Sequence, residues 1–344
     1  MLYAGIDLHK NYILITVING GGFQISQIRI NNDIQKIANF FAQFTEPVRI
    51  VIEATLNWYW IVELLDNLGY DIILAHPKKL RTIVDAKLED DNIISYTLAQ
   101  LLRNDYIPTV YYLSPEIRAL RDLCRTRLFL VRQRSALMNS CRSTLLKYNI
   151  MAPENQRLYS QNGLDYLKDP ELNLHELYKY GLWCKSDLIE FITEKITILK
   201  NKINKQTIED GVIKNLITIS GIGDVLAPTI RYEVGVMSRF RDDKHFSSYC
   251  RYTPKIHKSG KRNKHYKTSK EGNAYLKWAF SEVTVNAIKY DTDIRKRYQK
   301  LKSKKGKPIA LSIIGRNMTT VVYHVWTKHE EYKGFKKINI NKEQ

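Results

Sequence analysis

A chain of 344 residues is long enough for two or three domains, each with its own core. Its 54 Lys and Arg against 35 Asp and Glu give a formal net charge of +19 and a pI near 9.6, which favours a polyanion, nucleic acid first, over a small metabolite. No apolar run reaches about 18 residues and the N-terminus reads straight into a strand, which argues against a membrane partner or a signal peptide. Cys124, Cys141, Cys184 and Cys250 form no C-x-x-C pair, so structural zinc and a disulfide framework are disfavoured; reduced thiols in a cytoplasmic protein fit better.

Residues 1–112 alternate strand and helix signals. Leu2–Leu8, Tyr12–Asn19 and Phe23–Ile30 are short β-branched runs, split by His9-Lys10-Asn11 and by Gly20–Gly22, and read as a three-stranded meander. A helical period follows over Asp33–Phe44. Then come a strand at Val48–Ala54, a helix near Trp58–Leu68, a strand at Tyr70–Ala75, and helices near Pro77–Ala86 and Asp91–Arg103. Three antiparallel strands followed by strands alternating with helices is the ribonuclease H (RNase H-like) order, in an α/β plus α chain. A doubly wound nucleotide-binding fold is the rival, but no G-x-G-x-x-G follows the first strand, and Gly20–Gly22 suits a hairpin loop better than a phosphate cradle.

Within that frame Asp7 ends one apolar run, Glu53 ends another, and Asp91 opens a helix. Successive strand residues face opposite sides, so an acid at a strand end can point into a cleft while its neighbours stay in the sheet. Three such carboxylates suit Mg2+ or Mn2+, and two ions about 3.5–4 Å apart can assist phosphodiester cleavage. The plainer reading makes each acid a strand-end turn residue; the joint pattern weighs against it.

Residues 113–215 read as a helical connector with coiled-coil-like helices. Ser114-Pro115-Glu116 supplies an N-cap and a first-turn proline for a helix running to Tyr148. It carries Leu120, Leu123, Leu128 and Val131 beside Arg118, Arg121, Arg125 and Arg132, which suits either a solvated helix on a partner helix or an arginine-lined helix that joins protomers and grips phosphates. Residues 151–183, with Pro153, Gly163 and Pro170, read as an insert, and a helix returns over Ser186–Asp210.

Residues 216–334, followed by a tail at 335–344, form the third segment. Leu216–Ala227 places Gly221 and Gly223 between two apolar stretches, as in a helix-hairpin-helix whose backbone N–H groups meet a phosphate, although a plain helix-turn-helix connection would look alike. Arg251–Lys270 then hold eight Lys or Arg and no acid, among them Lys258, Lys261, Arg262, Lys264, Lys267 and Lys270, interleaved with aromatics. Eight more lie between Arg295 and Lys307. Charge runs are often only solvated faces, but paired with stacking aromatics they favour nucleic-acid contact.

Together these residues resemble a known family. Gly5-Ile6-Asp7-Leu8-His9-Lys10, Glu53-Ala54-Thr55 with Trp58-Tyr59-Trp60, Leu216–Ala227 with Glu233 and Gly235, Tyr252-Thr253-Pro254, Ser259-Gly260 and Thr268-Ser269-Lys270-Glu271-Gly272-Asn273 look like the Piv/MooV-type DEDD transposases, insertion-sequence family one hundred and ten, some guided by a bridge RNA. The likeness runs in order over nearly the whole chain. It implies a RuvC-like nuclease domain over 1–112, a connector that joins protomers as a dimer or tetramer, and a C-terminal transposase domain with a serine nucleophile. Asp7, Glu53 and Asp91 match the first three acids, which hold Mg2+ or Mn2+, and Ser259 matches the serine. DNA is the implied partner, with a non-coding guide RNA, and Asn273 falls in the last matched motif.

One position departs from the pattern. The family places a second Asp one helical turn after the third acid, where this chain has Ile94. Asp90, on a nearby face, is the candidate partial substitute. Two functions from different classes follow: a metal-dependent DNA recombinase, or a nucleic-acid-binding relative that has lost turnover. A junction nuclease is a weaker third reading because it has no use for Ser259.

Overall fold

The computed structural model describes residues 1–83, 91–152, 157–259, 262–268 and 271–334, with the backbone alone for 254–259 and 262–268. The chain divides into two compact units, Met1–Tyr112 and Leu113–Gln344.

The first unit is built on a mixed five-stranded sheet. β1 (Leu2–Leu8), β2 (Tyr12–Ile18) and β3 (Gln24–Asn31) form the antiparallel meander, and β4 (Val48–Glu53) and β5 (Asp71–Ala75) add in parallel on the other side of β1, giving the order β3-β2-β1-β4-β5. β1 and β4 are the central strands and are almost wholly buried, as parallel strands covered on both faces must be; β3 at the edge is largely exposed. One face, with Ala4, Ile6, Ile13, Ile15, Ile50 and Ile52, packs on α1 (Ile34–Phe41) and α2 (Tyr59–Asn67) through Ile37, Phe41, Ile61 and Leu65. The short α3 (Pro77–Leu80) follows β5; it stops at Leu80, well before the expected end, and Val84–Ala86 lie outside the described residues.

The other face is crossed by α4 (Asp91–Arg103). Gly5 permits this crossing: a Cβ there would stand 2.1 Å from the Ser95 carbonyl oxygen and 2.6 Å from the Ala99 nitrogen, so only a bare Cα lets the helix lie on β1. Buried hydroxyls pin the contact, with Thr16 Oγ1 and Ser95 Oγ 2.7 Å apart and Gln27 Nε2 donating to Thr16 Oγ1 at 2.8 Å. The mixed sheet, its order and its helices are consistent with the RNase H-like arrangement expected from the sequence.

The second unit starts with α5 (Pro115–Leu146), a 32-residue helix, then α6 (Gln161–Leu167) and α7 (Glu176–Thr207), again of 32 residues. α5 and α7 run antiparallel: Cys124 shares a cluster with Ile203, Arg134 donates to Thr193 Oγ1, and Cys141 and Leu145 pack with Leu182 and Ile189. On α7 the buried residues Leu182, Ser186, Ile189, Ile196, Ile203 and Thr207 fall on the alternating three- and four-residue steps of a heptad. α7 begins at Glu176 rather than near Ser186, so part of the expected insert is helix.

A second core follows. It joins α8 (Gly211–Ile217), α9 (Leu226–Val234), α10 (Asp243–Tyr249), α11 (Ala274–Tyr290) and α13 (Lys307–Lys328), with α12 (Thr292–Lys305) adding Ile294. Between α10 and α11, β6 (Pro254–Ser259) and β7 (Arg262–Thr268) form an antiparallel hairpin. No described helix is long and apolar enough to cross a membrane.

Candidate active site

Strand alternation places Tyr3, Gly5 and Asp7 on the α4 side of β1. β4 runs parallel beside it with Ile6 opposite Ile52, which brings Glu53 to the strand end next to Asp7 and on the same face. The close crossing at Gly5 then sets the first residue of α4, Asp91, over these strand ends.

The closest cluster is Asp7, His9 and Asp91, whose ligand atoms all lie within 4.8 Å of one another. His9 Nε2 is 3.0 Å from Asp7 Oδ2 and 3.2 Å from Asp91 Oδ2. Tyr12 Oη donates to Asp91 Oδ2 at 2.9 Å, and the His9 ring stacks on the Tyr12 ring with centroids 4.5 Å apart. The His9 carbonyl accepts from Asn32 Nδ2 and Asn57 Nδ2, each at 3.1 Å, which fixes the backbone that carries the imidazole. The Arg29 guanidinium lies over the Tyr12 ring, 3.7 Å from its centroid.

Burial pushes the Asp7 carboxyl above its usual range, with the His9 contact pulling the other way and the Asp91 charge adding to the rise. Burial raises Glu53 as well, followed by the Asp7 charge, with Arg81 opposing. Enclosed carboxylates that repel one another are stabilised in their charged form by a nearby positive charge. Oxygen donors of this kind, with one imidazole, fit a divalent ion. Glu53 stands outside the three-residue cluster but is coupled to Asp7 by charge.

Ile94, three residues after Asp91 on α4, is an apolar side chain. It is half-buried against the apolar cluster of Val51, Ala75, Leu80, Leu98 and Leu102 and offers no ligand atom. Asp90 lies outside the described residues. His9 is the site residue that sequence reasoning missed. Its signal was the two-residue step from Asp7, which in extended chain returns a side chain to the same face.

In the second unit the expected nucleic-acid contacts divide. Arg125 Nε and Nη2 donate to Glu233 Oε1 and Oε2 at 2.6 and 2.8 Å, and its guanidinium lies 4.4 Å from the Tyr275 ring centroid. Such a fork holds a carboxylate that is only 3% exposed. Asn273 shares the same partner. Its Oδ1 caps α11 by accepting from Tyr275 and Leu276 N–H, and its Nδ2 donates to Glu233 Oε2 at 2.7 Å. Arg118 is only 5% exposed and Arg121 is half-buried beside Asp122; Arg132 is exposed.

The glycine pair divides in the same way. Gly221, at φ +95°, is required for packing, since a Cβ would meet Ala287 N at 2.6 Å and Val283 O at 2.8 Å; Gly223 is exposed with open space around it. Ser259 pairs with Arg262 in the register of the β6–β7 hairpin, at the end away from α10 and α11. Lys258, Lys264 and Lys267 lie on the same two strands. Lys261 and Lys270 fall outside the described residues. The root of the hairpin is clamped: Arg251 donates twice to the Gly272 carbonyl, and Asn273 N–H donates to Tyr249 O at 2.7 Å.

A mixed sheet that gathers acids at adjacent strand ends beneath the start of a crossing helix is consistent with an α/β protein of the RNase H-like class. A family model for DEDD transposases of the IS110 type, described as "Transposase", matches residues 4–150, and one described as "Transposase IS116/IS110/IS902 family" matches 213–299. The chain belongs to the IS110 family of DEDD transposases, insertion-sequence proteins of DNA recombination.

Its relatives agree. The chain is 24% identical over 325 residues to a "Probable family 20 transposase" of Pseudomonas aeruginosa, covering 91% of this chain and 93% of that protein. It is 23% identical to the "Transposase for insertion sequence element IS1328" of Yersinia enterocolitica, over 79% and 80% of the two chains. The IS1111A transposase of Coxiella burnetii is 22% identical, over 96% of this chain and 90% of its own length.

Proposed function

We propose that this transposase cuts and exchanges DNA strands of an insertion sequence through a covalent serine link, with Asp7, Glu53 and Asp91 holding a divalent ion, Mg2+ or Mn2+. Met1–Tyr112 acts as a RuvC-like nuclease domain, 113–215 as an oligomerisation region, and 216–334 as the domain that carries the serine. The reading is carried by one observation: Asp7 and Asp91, far apart in sequence, meet around a single imidazole nitrogen at 3.0 and 3.2 Å.

A bound divalent ion supplies charge neutralisation at the scissile phosphate and lowers the barrier to displacement there. The chain's own residues do the rest. Asp7 is fixed by β1 and Asp91 by the α4 crossing, so their carboxylates are oriented before substrate arrives. Ser259 Oγ attacks phosphorus and gives up its proton, and the departing sugar oxygen takes a proton up; the DNA end is thereby stored on the protein as a phosphodiester. Arg262, beside Ser259 in register, supplies positive charge to the phosphate.

DNA affinity comes from the basic runs around the hairpin and over Arg295–Lys307, with Arg132 and the Gly223 turn as further phosphate contacts. A guide RNA as second partner is supported by family likeness and by the same charge. α7 carries a second apolar stripe, with Leu177, Cys184, Leu188, Phe191 and Ile198 exposed, which supports assembly into a dimer or tetramer.

Ile94 favours a second reading, a binding relative with impaired turnover. End-labelled insertion-end DNA incubated with the protein and Mg2+ or Mn2+ tests both. Nicking that is lost in Asp7→Asn and Asp91→Asn supports the recombinase. Tight binding with no nicking under either ion supports the binding relative, and recovery in Ile94→Asp would locate the defect.

A further inference from the structure

We propose that His9 is a metal ligand, so that Asp7, His9 and Asp91 form one coordinating face that selects a first-row transition ion over Mg2+. The inference rests on the metal-dependent reading above and specifies its site.

The spacing of the donor atoms carries it. Bonds of about 2.1 Å at right angles put neighbouring ligand atoms of an octahedral ion about 3.0 Å apart. His9 Nε2 lies 3.0 Å from one carboxylate oxygen and 3.2 Å from the other. A lone Nε2–H points at one acceptor and serves one oxygen well, whereas an ion at the centre of the three atoms serves all of them.

The ring is also held for the task. Its backbone carbonyl is fixed by Asn32 and Asn57, its face rests on Tyr12, and the Tyr12 hydroxyl orients the Asp91 carboxylate from the outside. Outer contacts of this kind set the direction of ligating groups.

The fourth acid is absent. Ile94 is half-buried against an apolar cluster and offers no donor, so an imidazole replaces a carboxylate in the count. Mg2+ favours oxygen and demands near-ideal geometry, while imidazole binds first-row transition ions well, so the exchange moves selectivity towards the latter. A three-atom face leaves the remaining positions of an octahedral ion open to water and phosphate oxygens.

The test uses the full chain stripped of metal and titrated with Mn2+ alone and, separately, with Mg2+ alone. Pulsed electron paramagnetic resonance of the bound ion should show coupling to a nitrogen that disappears in His9→Ala and in His9→Asn. Mn2+ affinity should fall in both variants by at least the ~10-fold that loss of an outer-shell partner costs. In His9→Asp the ratio of Mg2+ to Mn2+ affinity should rise. Mn2+ bound without nitrogen coupling, or with coupling that survives both substitutions, overturns the role of His9 and leaves the acidic site standing. No Mn2+ or Mg2+ binding by the wild type overturns the metal reading itself. Thermal unfolding of both variants in EDTA reports whether they fold.

Discussion

A methyl group on Gly5 would stand 2.1 Å from the carbonyl oxygen of Ser95, so β1 and α4 touch backbone to backbone beneath the candidate site. The contact lies two residues from Asp7 and one turn from Asp91. Gly5→Ala must therefore move the helix. Overpacking of this kind costs about 1–3 kcal/mol, and a ~1 Å displacement of a catalytic group costs about a hundredfold in rate. Denaturant unfolding should show the first loss and DNA nicking the second, with nicking affected far more than folding.

The raised carboxyls of Asp7 and Glu53 set a pH dependence. Each holds its proton to higher pH in the fold than in the unfolded chain, whose values lie near 3.8 and 4.5. Metal-free stability is therefore undiminished by them below those values, falls as pH rises through the higher folded values, and stays lowered at neutral pH. Asp7→Asn should raise the metal-free melting temperature at pH 7 more than at pH 4, and abolish the rise that Mn2+ gives the wild type. Calorimetry at pH 4 and pH 7, with and without the ion, measures both.

The Arg125–Glu233 pair should respond unequally to its two halves. Arg125→Ala leaves a carboxylate that is 3% exposed without its fork, a cost of about 3–5 kcal/mol. Glu233→Gln keeps an acceptor and leaves a guanidinium that reaches water, so it should cost clearly less. The salt dependence of DNA binding separates this pair from phosphate contacts: Arg132→Ala should lower the slope by about one, and Arg125→Ala, where it folds, should leave it unchanged.

The exposed stripe on α7 gives a test of assembly. Phe191→Glu and Leu188→Glu should shift the protein to a smaller species in sedimentation without loss of helicity, because neither residue belongs to the core between α5 and α7. Oxidative cross-linking through Cys184, the exposed cysteine, should trap dimers in the wild type and none in Cys184→Ser.

Much of the first unit was legible because its signals are local. The meander, the parallel strands and the bounds of α4 at Asp91 and Arg103 follow from alternation, turn residues and helical period. α7 was foreshortened because its first turns carry apolar residues on two faces, Leu182 inward and Leu177 outward, which blurs a single period. The Arg125–Glu233 pair was not legible because its partners are 108 residues apart, and pairing across that distance leaves no pattern in the chain. His9 was hidden in a turn. Ile94 was visible as a missing acid, but its packing against the apolar cluster depends on how α4 lies across the sheet.

The central claim is that the acids and Ser259 serve one reaction. Mass-spectrometric mapping of the protein after incubation with a suicide DNA substrate and Mn2+ tests it most directly. A nucleotide adduct on Ser259, absent in EDTA and in Asp7→Asn, is the expected result; nicked DNA with no adduct, or an adduct that forms without metal, would contradict it.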